Sequence, residues 1–379
     1  MTLTRRIFYG LAAPVAAVVL SLLVSGIVLW ASGYSAADAF KSMWSYIDSS
    51  ESVIEIINRA IPFYVSALAV AIGFKMNLFN IGVNGQYLLA AVLAAAAGAE
   101  VTFPAIFQVS FIILVAVVVG AAWAAIAGIL KVWRGVSEVI STIMLNSIAG
   151  SITAYLLVNY LRATNEAGDL VTKTKPLPPE SFIPPLNRFL EVFGLHLPVE
   201  LNGFLVGAII LGVGYYVLVW RTRFGFDLRA TGANPAAARA AGVNPKAMVM
   251  KTMLISGGIA GLVGVGPLLG DPQFHRYAEQ FPTQLGFTGI AIALVGRNHP
   301  VGIAFAALLF AAIERATQVL SLQGIPQEIS KIMQGSIILS AVVAYEVVRR
   351  IRVAAEVRDA AAKAEPHATG GHIPEPVPA

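Results

Sequence analysis

The sequence predicts an all-α fold, a polytopic membrane bundle of about ten transmembrane helices in which two segments are short or broken. Three observations predict it. Of 379 residues, 57% are hydrophobic and only 12% are charged, where soluble domains carry about 25% charged residues. Apolar runs near the length of a bilayer-spanning helix recur along the whole chain. Basic residues gather in alternate connections between those runs, as membrane topology requires. The formal net charge of +5 is therefore assigned to topology and not to nucleic-acid binding. There is no cysteine, hence no disulfide framework and no thiol chemistry.

The apolar runs fall at residues 8–32, 60–75, 85–99, 103–130, 138–160, 203–220, 250–270, 285–297, 301–321 and 330–348. The first follows Arg5 and Arg6 and has no small-residue cleavage site, so it reads as a retained span and not a signal peptide. Residues 35–59 read as an amphipathic surface helix with Phe40, Met43, Trp44 and Ile47 on one stripe. Residues 162–202, with the run KTKPLPPESFIPP, are too many for a simple connector and make either a docking surface or a passive cap. The transmembrane region is expected to occupy 1–349. The remainder, 350–379, turns charged and then rich in Pro, Gly and His, a composition that predicts a disordered tail. His367 and His372 in that tail read as solvated, not metal-bound.

Ten crossings sort the charges. Arg5, Arg6, Lys75, Lys131, Arg134, the 221–250 loop, Arg297, Arg349, Arg350 and Arg352 fall on one side. Asp38, Asp48, Glu51, Glu55, Glu100, the 162–202 loop, Asp271 and Glu279 fall on the other. The positive-inside rule makes the first side cytoplasmic, together with both termini, and puts 35–59 and 162–202 outside.

The runs at 60–75 and 285–297 are too short to cross alone, and each leads through a polar break into another apolar helix. In the first break Asn77, Asn80, Asn84 and Gln86 supply neutral donors and acceptors, and Gly82 and Gly85 permit tight turns. Asn146 lies deep in the run at 138–160. These five amides suit an uncharged polyhydroxylated ligand and are the candidate lining of a substrate pathway. The competing reading is that they satisfy freed backbone groups and one another. Glu314, Arg315 and Gln318 lie past the middle of the run at 301–321, where they either pair or act directly. Glu138 stands beside the boundary of its helix, to cap it or to touch a partner. Gly257 and Gly261 have small-xxx-small spacing, which supports a tight bundle or a dimer face.

Between the runs at 203–220 and 250–270 lies a basic island with a punctuated miniature helix. Asn234 is a good N-cap, Pro235 suits the first helical position, residues 236–241 are strong helix formers, and Gly242 can take the left-handed C′ position. Asn244 and Pro245 repeat the start signal for the next helix. A short, small-residue helix on stiff flanks is suited to being gripped by another protein. The chain has no GxxxxGK[ST] phosphate loop, no HExxH motif and no plausible Ser/His/Asp set, so no catalysis, metal or cofactor is expected. ATP-driven transport would need the ATPase on another chain.

Four separated blocks carry a family resemblance: FNIGVNGQ (79–86), SEVISTIMLN (137–146), GFDLRATGANPAAARAAGVN (225–244) and GFTGIAIALVGRNHPVGI (286–303). Together they resemble the permease subunits of bacterial ATP-binding cassette importers of the branched-chain amino acid, ribose and nucleoside type, most of all the nucleoside permeases. Family members often carry an acidic residue where this chain has Asn84. The resemblance implies a multi-pass protein of the cell membrane, carrying nucleosides or a related simple sugar. It implies a homologous second permease subunit, two ATP-binding cassette ATPase subunits and an extracellular, often lipid-anchored, substrate-binding protein. It also places the coupling helix at 234–242, with Arg229 and Gly232 leading in, so that Arg229, Gly232, Asn234, Pro235, Arg239 and Gly242 form the ATPase-coupling element. The alternative is a gradient-driven secondary transporter of a small polar solute, which needs a carboxylate near the bilayer midplane. Glu314 is the one serious candidate, and it is off-centre. A channel or scaffold would explain the spans but neither the breaks nor the miniature helix.

Overall fold

The structure, a computed structural model, describes residues 19–163 and 171–364. In chain order its helices are α1 (Val19–Ala31), α2 (Ala36–Ile47), α3 (Ser50–Phe74), α4 (Val83–Ala99), α5 (Ala105–Arg134) and α6 (Glu138–Asn159). A short α7 (Asn187–Glu191) precedes α8 (Phe204–Trp220), α9 (Arg223–Ala233), α10 (Pro235–Ala240) and α11 (Pro245–Gly261). A 3₁₀ turn, Leu262–Gly264, joins α11 to α12 (Val265–Gly270), and α13 (Leu285–Val295), α14 (Pro300–Leu322) and α15 (Gln327–Ala364) follow. Among the described residues the only β pairing outside helices is an isolated antiparallel bridge from Lys173 to Ala278. Six helices or joined helices there are long and apolar enough to cross a membrane: α3, α5, α6, α8, the α11–α12 unit and α14. The apolar α1, α4 and α13 are shorter. Residues 8–18 of the first expected run lie outside the described residues.

Two expectations need correction. The run at 60–75 is not a short segment: α3 is a continuous helix of 25 residues. The predicted surface helix at 35–59 accordingly divides, with α2 covering its first part and the opening turns of α3 its last. The reason is that helix continuity is set by backbone hydrogen bonds and not by hydropathy. Ser49 caps α3 by accepting the Ser52 N–H, and the polar residues that end the apolar run are paired. Arg59 meets Glu314 at 3.0 Å and Glu55 meets Arg315 at 2.6 Å. The Arg315 guanidinium also donates to Gln318 at 3.1 Å and lies 4.4 Å from the centre of the Tyr46 ring. Glu314 and Arg315 thus bind α14 to the start of α3. The expectation at 285–297 fares better, since α13 has only 11 residues.

Residues Ser42–Val319 form one compact unit. At its centre, α3 is fully enclosed from Ala67 to Ile72. α5 and α11 are pressed backbone to backbone at Gly120, Gly257 and Gly261, so the small-xxx-small spacing serves packing within the chain. Ser66 donates to the Leu285 carbonyl at 2.8 Å, fastening α3 to the start of α13. Glu138 and Lys131 close the joint between α6 and α5 with an ion pair of 2.5 Å. The described part of the 162–202 loop is packed down rather than slack. Thr174 and Leu177 donate backbone hydrogen bonds to Tyr277 and His275, and the Phe182 and His275 rings stack 3.5 Å apart. Burial pushes the Tyr277 hydroxyl up to about 12 and lowers the His275 pKa, so both stay neutral near pH 7.

The second unit comprises the described parts of Met1–Lys41 and Leu320–Ala379. Within it the Ser25 and Ser336 hydroxyls lie 3.2 Å apart, and Leu29 and Met333 are buried. α15 continues to Ala364, so the composition break at 350 is not a break in the backbone. Residues 351–364 are rich in alanine, the strongest helix former. The rest of the expected tail, 365–379, lies outside the described residues.

Candidate functional site

The first break begins where α3 ends. Leu78 and Met76 donate back to the Gly73 carbonyl, and Asn77 takes the left-handed conformation, φ 54°. The chain then turns into α4, and its amides face inward to one another. Asn80 donates to Gln86 Oε1 at 3.0 Å while Gln86 donates to Asn80 Oδ1 at 2.9 Å, a reciprocal amide pair. Asn80 also donates to Ser256 Oγ of α11 at 2.8 Å and accepts the Gly82 N–H. Ser256 in turn donates to the Ala69 carbonyl at 2.6 Å. Both amides are 1% exposed. Asn146 of α6 accepts the Gly85 N–H at 2.8 Å and donates to the Ile81 carbonyl at 2.9 Å. Asn77 reaches in another direction and donates to the Gly232 carbonyl at 2.7 Å.

Four of the five amides expected to line a pathway are thus engaged with the protein itself. Only Asn84 keeps a buried oxygen, Oδ1, without a hydrogen-bond partner, and its backbone lies against Gly286 of α13. The sequence offers both readings of these amides; the choice depends on Ser256 and Asn146, which are distant in the chain. Replacing Asn80 with Leu would orphan the Gln86 carboxamide and the Gly82 N–H. At ~1–3 kcal/mol per buried unsatisfied group, the expected loss is about 2–6 kcal/mol. A thermal melt of the purified chain in detergent should show a lowered midpoint, and an unchanged midpoint would mean the pair is dispensable.

The second break is a tight reversal. Arg297 and Asn298 are both left-handed, with φ of 57° and 54°, and Pro300 opens α14. Tyr215 of α8 donates to the Asn298 carbonyl at 3.0 Å, fixing this turn to the end of α8. Lys75, the cap of α3, lies 4.9 Å from the centre of the Trp220 ring. Burial lowers its pKa, and the charges of Arg229 and Arg297 lower it further. Both breaks therefore end beside the α8–α9 corner, a convergence that sequence spacing does not reveal.

That corner carries the miniature helix. Asn234 Oδ1 accepts the N–H groups of Ala236 and Ala237 at 3.0 and 3.1 Å, Pro235 is the first helical residue, and Gly242 is left-handed at φ 85°. Asn244 repeats the cap for α11, accepting the Ala247 N–H at 3.2 Å. α10 is exposed, Arg239 included, except for the buried Ala238. The residues leading in form a separate helix, α9, that the sequence reading leaves within the loop. Its signal is Thr222, which caps it by accepting the Gly225 N–H at 3.1 Å. Arg229 donates to the Val219 carbonyl, fastening α9 to α8. Gly232 packs on the first break so closely that a Cβ there would stand 2.7 Å from Met76 Cα and 2.9 Å from the Lys75 carbonyl. The structure thus brings Asn77 together with Gly232, fastens Arg229 to α8, and bonds Asn80, Gln86 and Asn146 to other partners.

Known proteins resemble this chain over most of its length. The family described as branched-chain amino acid transport system / permease component matches residues 52–342. The chain is 33% identical to the guanosine ABC transporter permease protein NupP of Bacillus subtilis over 336 residues, 88% of this chain and 93% of that one. It is 31% identical to the nucleoside ABC transporter permease protein NupB of Lactococcus lactis, over 86% and 88% of the two chains. It is 30% identical to the glucose ABC transporter permease protein TsgB13 of Haloferax volcanii, over 98% and 96%. No solved structure matches the chain. With these membrane-spanning helices and a family match over most of its length, the chain belongs to the branched-chain amino acid transport permease family and is a non-catalytic, cell-membrane permease subunit of an ABC importer.

Proposed function

We propose that this permease carries nucleosides or a related simple sugar, and that α10 is its contact with the ATPase. The observation that carries the coupling assignment is α10 itself, an exposed helix capped at both ends and fastened through α9 to α8 and to the first break. Arg229, Gly232, Asn234, Pro235, Arg239 and Gly242 make up this element. ATP-driven closure of two ATPase subunits would move α10, and α9 would pass the motion to the first break at Asn77 and Gly232. The substrate reading is supported by the nucleoside names of two relatives, and the glucose name of a third keeps sugars within the class. In this reading ten segments cross the membrane, both termini and α10 are cytoplasmic, and a homologous second permease completes the pathway. An extracellular binding protein delivers the ligand. Asn84, with its uncommitted oxygen, is the amide of the first break retained as a pathway residue. The ion pair of Glu314 with Arg59 argues against gradient-driven transport, because it occupies the one carboxylate suited to it.

The test is uptake of radiolabelled nucleosides, ribose and glucose into proteoliposomes holding this chain, its partner permease, the ATPase and the binding protein, with this chain omitted as control. Nucleoside uptake requiring both ATP and this chain is expected. Sugar uptake alone would overturn the nucleoside assignment, and uptake without ATP would overturn the coupling reading.

A further inference from the structure

A recess of about 640 Å³ lies between α3, α8 and α14, walled by Ile61, Ile209, Val213, Val301, Phe305 and Leu308. Its wall is apolar, and Phe305 is 70% exposed along its flank. A neutral polyhydroxylated substrate would find few hydrogen-bonding partners there. Along α8 the recess extends from Leu205 to Tyr216. At 1.5 Å per residue that is roughly 16 Å, about half of the ~30 Å hydrocarbon core and so the depth of one leaflet.

The end of the recess nearer the α8–α9 corner has a different chemistry. Tyr216 and His299 line it. The Tyr216 ring stacks on Trp220 at 5.5 Å, and Trp220 lies 5.4 Å from His299. Two cations border the same rings: Arg221 lies 5.9 Å from the centre of Tyr216 and Lys75 lies 4.9 Å from the centre of Trp220. Aromatic rings of this kind sit at the headgroup level of a membrane, and Lys and Arg there attract anionic lipid. Apolar depth and cationic rim thus follow the order of a phospholipid, tail to headgroup.

We infer that the recess between α3, α8 and α14 is a binding site for one anionic phospholipid of the leaflet on the α10 side, its acyl chain along α8 and its phosphate held by Lys75 and Arg221 beside Trp220 and His299. A second copy of this chain is the poorer occupant, because its own loop at 221–251 brings Arg221, Arg223, Arg229, Arg239, Lys246 and Lys251 against the single acid Asp227.

The test is native mass spectrometry of the full chain in detergent, titrated with dioleoylphosphatidylglycerol or dioleoylphosphatidylcholine. Wild type should prefer phosphatidylglycerol. In the Lys75→Gln/Arg221→Gln double variant that preference should fall roughly thirty-fold, from ~1 kcal/mol per basic residue near an anionic headgroup. Ala304→Trp, which fills the recess, should lose the bound lipid. A second readout does not depend on these variants. In phosphatidylcholine vesicles, brominated phosphatidylglycerol should quench Trp220 more than brominated phosphatidylcholine does, judged by the difference between wild type and Trp220→Phe. Equal quenching by the two lipids, or an undiminished preference in the double variant, would overturn the site. Displacement of the lipid on addition of a second permease subunit would reassign the recess as a subunit seam.

Discussion

Leucine in place of Gly257 or Gly261 is expected to prevent folded protein from accumulating in the membrane. These two residues of α11 face Ala116, Gly120 and Ala124 of α5 with nothing but backbone and methyl groups between the helices. A Cβ on Gly257 would stand 2.5 Å from the Gly120 carbonyl, and one on Gly261 would fall on the Ala116 carbonyl. Neither contact is with the far end of a flexible side chain, so relief requires the helices to part. Overpacking a core costs ~1–3 kcal/mol and occasionally more, and separating the two helices along their contact puts leucine at or above the upper figure. That is a large share of a total stability of ~5–15 kcal/mol, and in a cell a loss of ~1–2 kcal/mol already lowers the accumulated amount of a protein several-fold. Fluorescence-detected size-exclusion chromatography of a tagged chain should replace the monodisperse peak with aggregate. Gly258→Ala is the control: its Cβ would meet the Val117 side chain at 3.3 Å, which can give way. Normal peaks from both leucine variants would show that the seam does not set stability.

Valine at Gly232 is expected to separate ATP hydrolysis from uptake in the folded assembly that is recovered, with the folded fraction read by the same chromatography. The added side chain pushes α9 away from Met76 and the Lys75 carbonyl and breaks the bond from Asn77 to the Gly232 carbonyl. A lost hydrogen bond of ~0.5–1.5 kcal/mol and an overpacking cost of ~1–3 kcal/mol together weaken this junction by about 1.5–4.5 kcal/mol. At 1.4 kcal/mol per factor of ten, uptake per ATP hydrolysed should fall by more than about ten-fold. Asn77→Ala removes only the bond and should act in the same direction, more weakly. The measurement is the ratio of uptake to phosphate release in proteoliposomes holding the whole assembly. An unchanged ratio in Gly232→Val would sink the proposed route from α10 to the break.

How much of this was legible in the sequence depended on whether the cause was local. α10 was fully legible, because an N-cap at Asn234, proline at the first position and a left-handed glycine at 242 are all local devices. The shortness of α13 was legible for the same reason, from the Gly-Arg-Asn-His-Pro run that ends it. The length of α3 was not, since Glu55 and Arg59 look like surface residues until Arg315 and Glu314 are placed opposite them. The roles of the amides were undecided because a carboxamide suits a ligand and a backbone carbonyl equally well. Only the arrival of Ser256, Asn146 and Gly232 separates the two uses. Helix in 351–364 was hidden by reading charge as a sign of disorder, while alanine content favoured order.

The inward-facing amides of the first break also bear on protein engineering. Exchanging Asn80 or Gln86 in the hope of a new cargo would first break the reciprocal amide pair and its bond to Ser256. A library built on those positions is expected to vary in how well its members fold, since each exchange dismantles a buried bond. Asn84 is the position in that break where diversity can be introduced without first dismantling a bond, because its side-chain oxygen has none to lose.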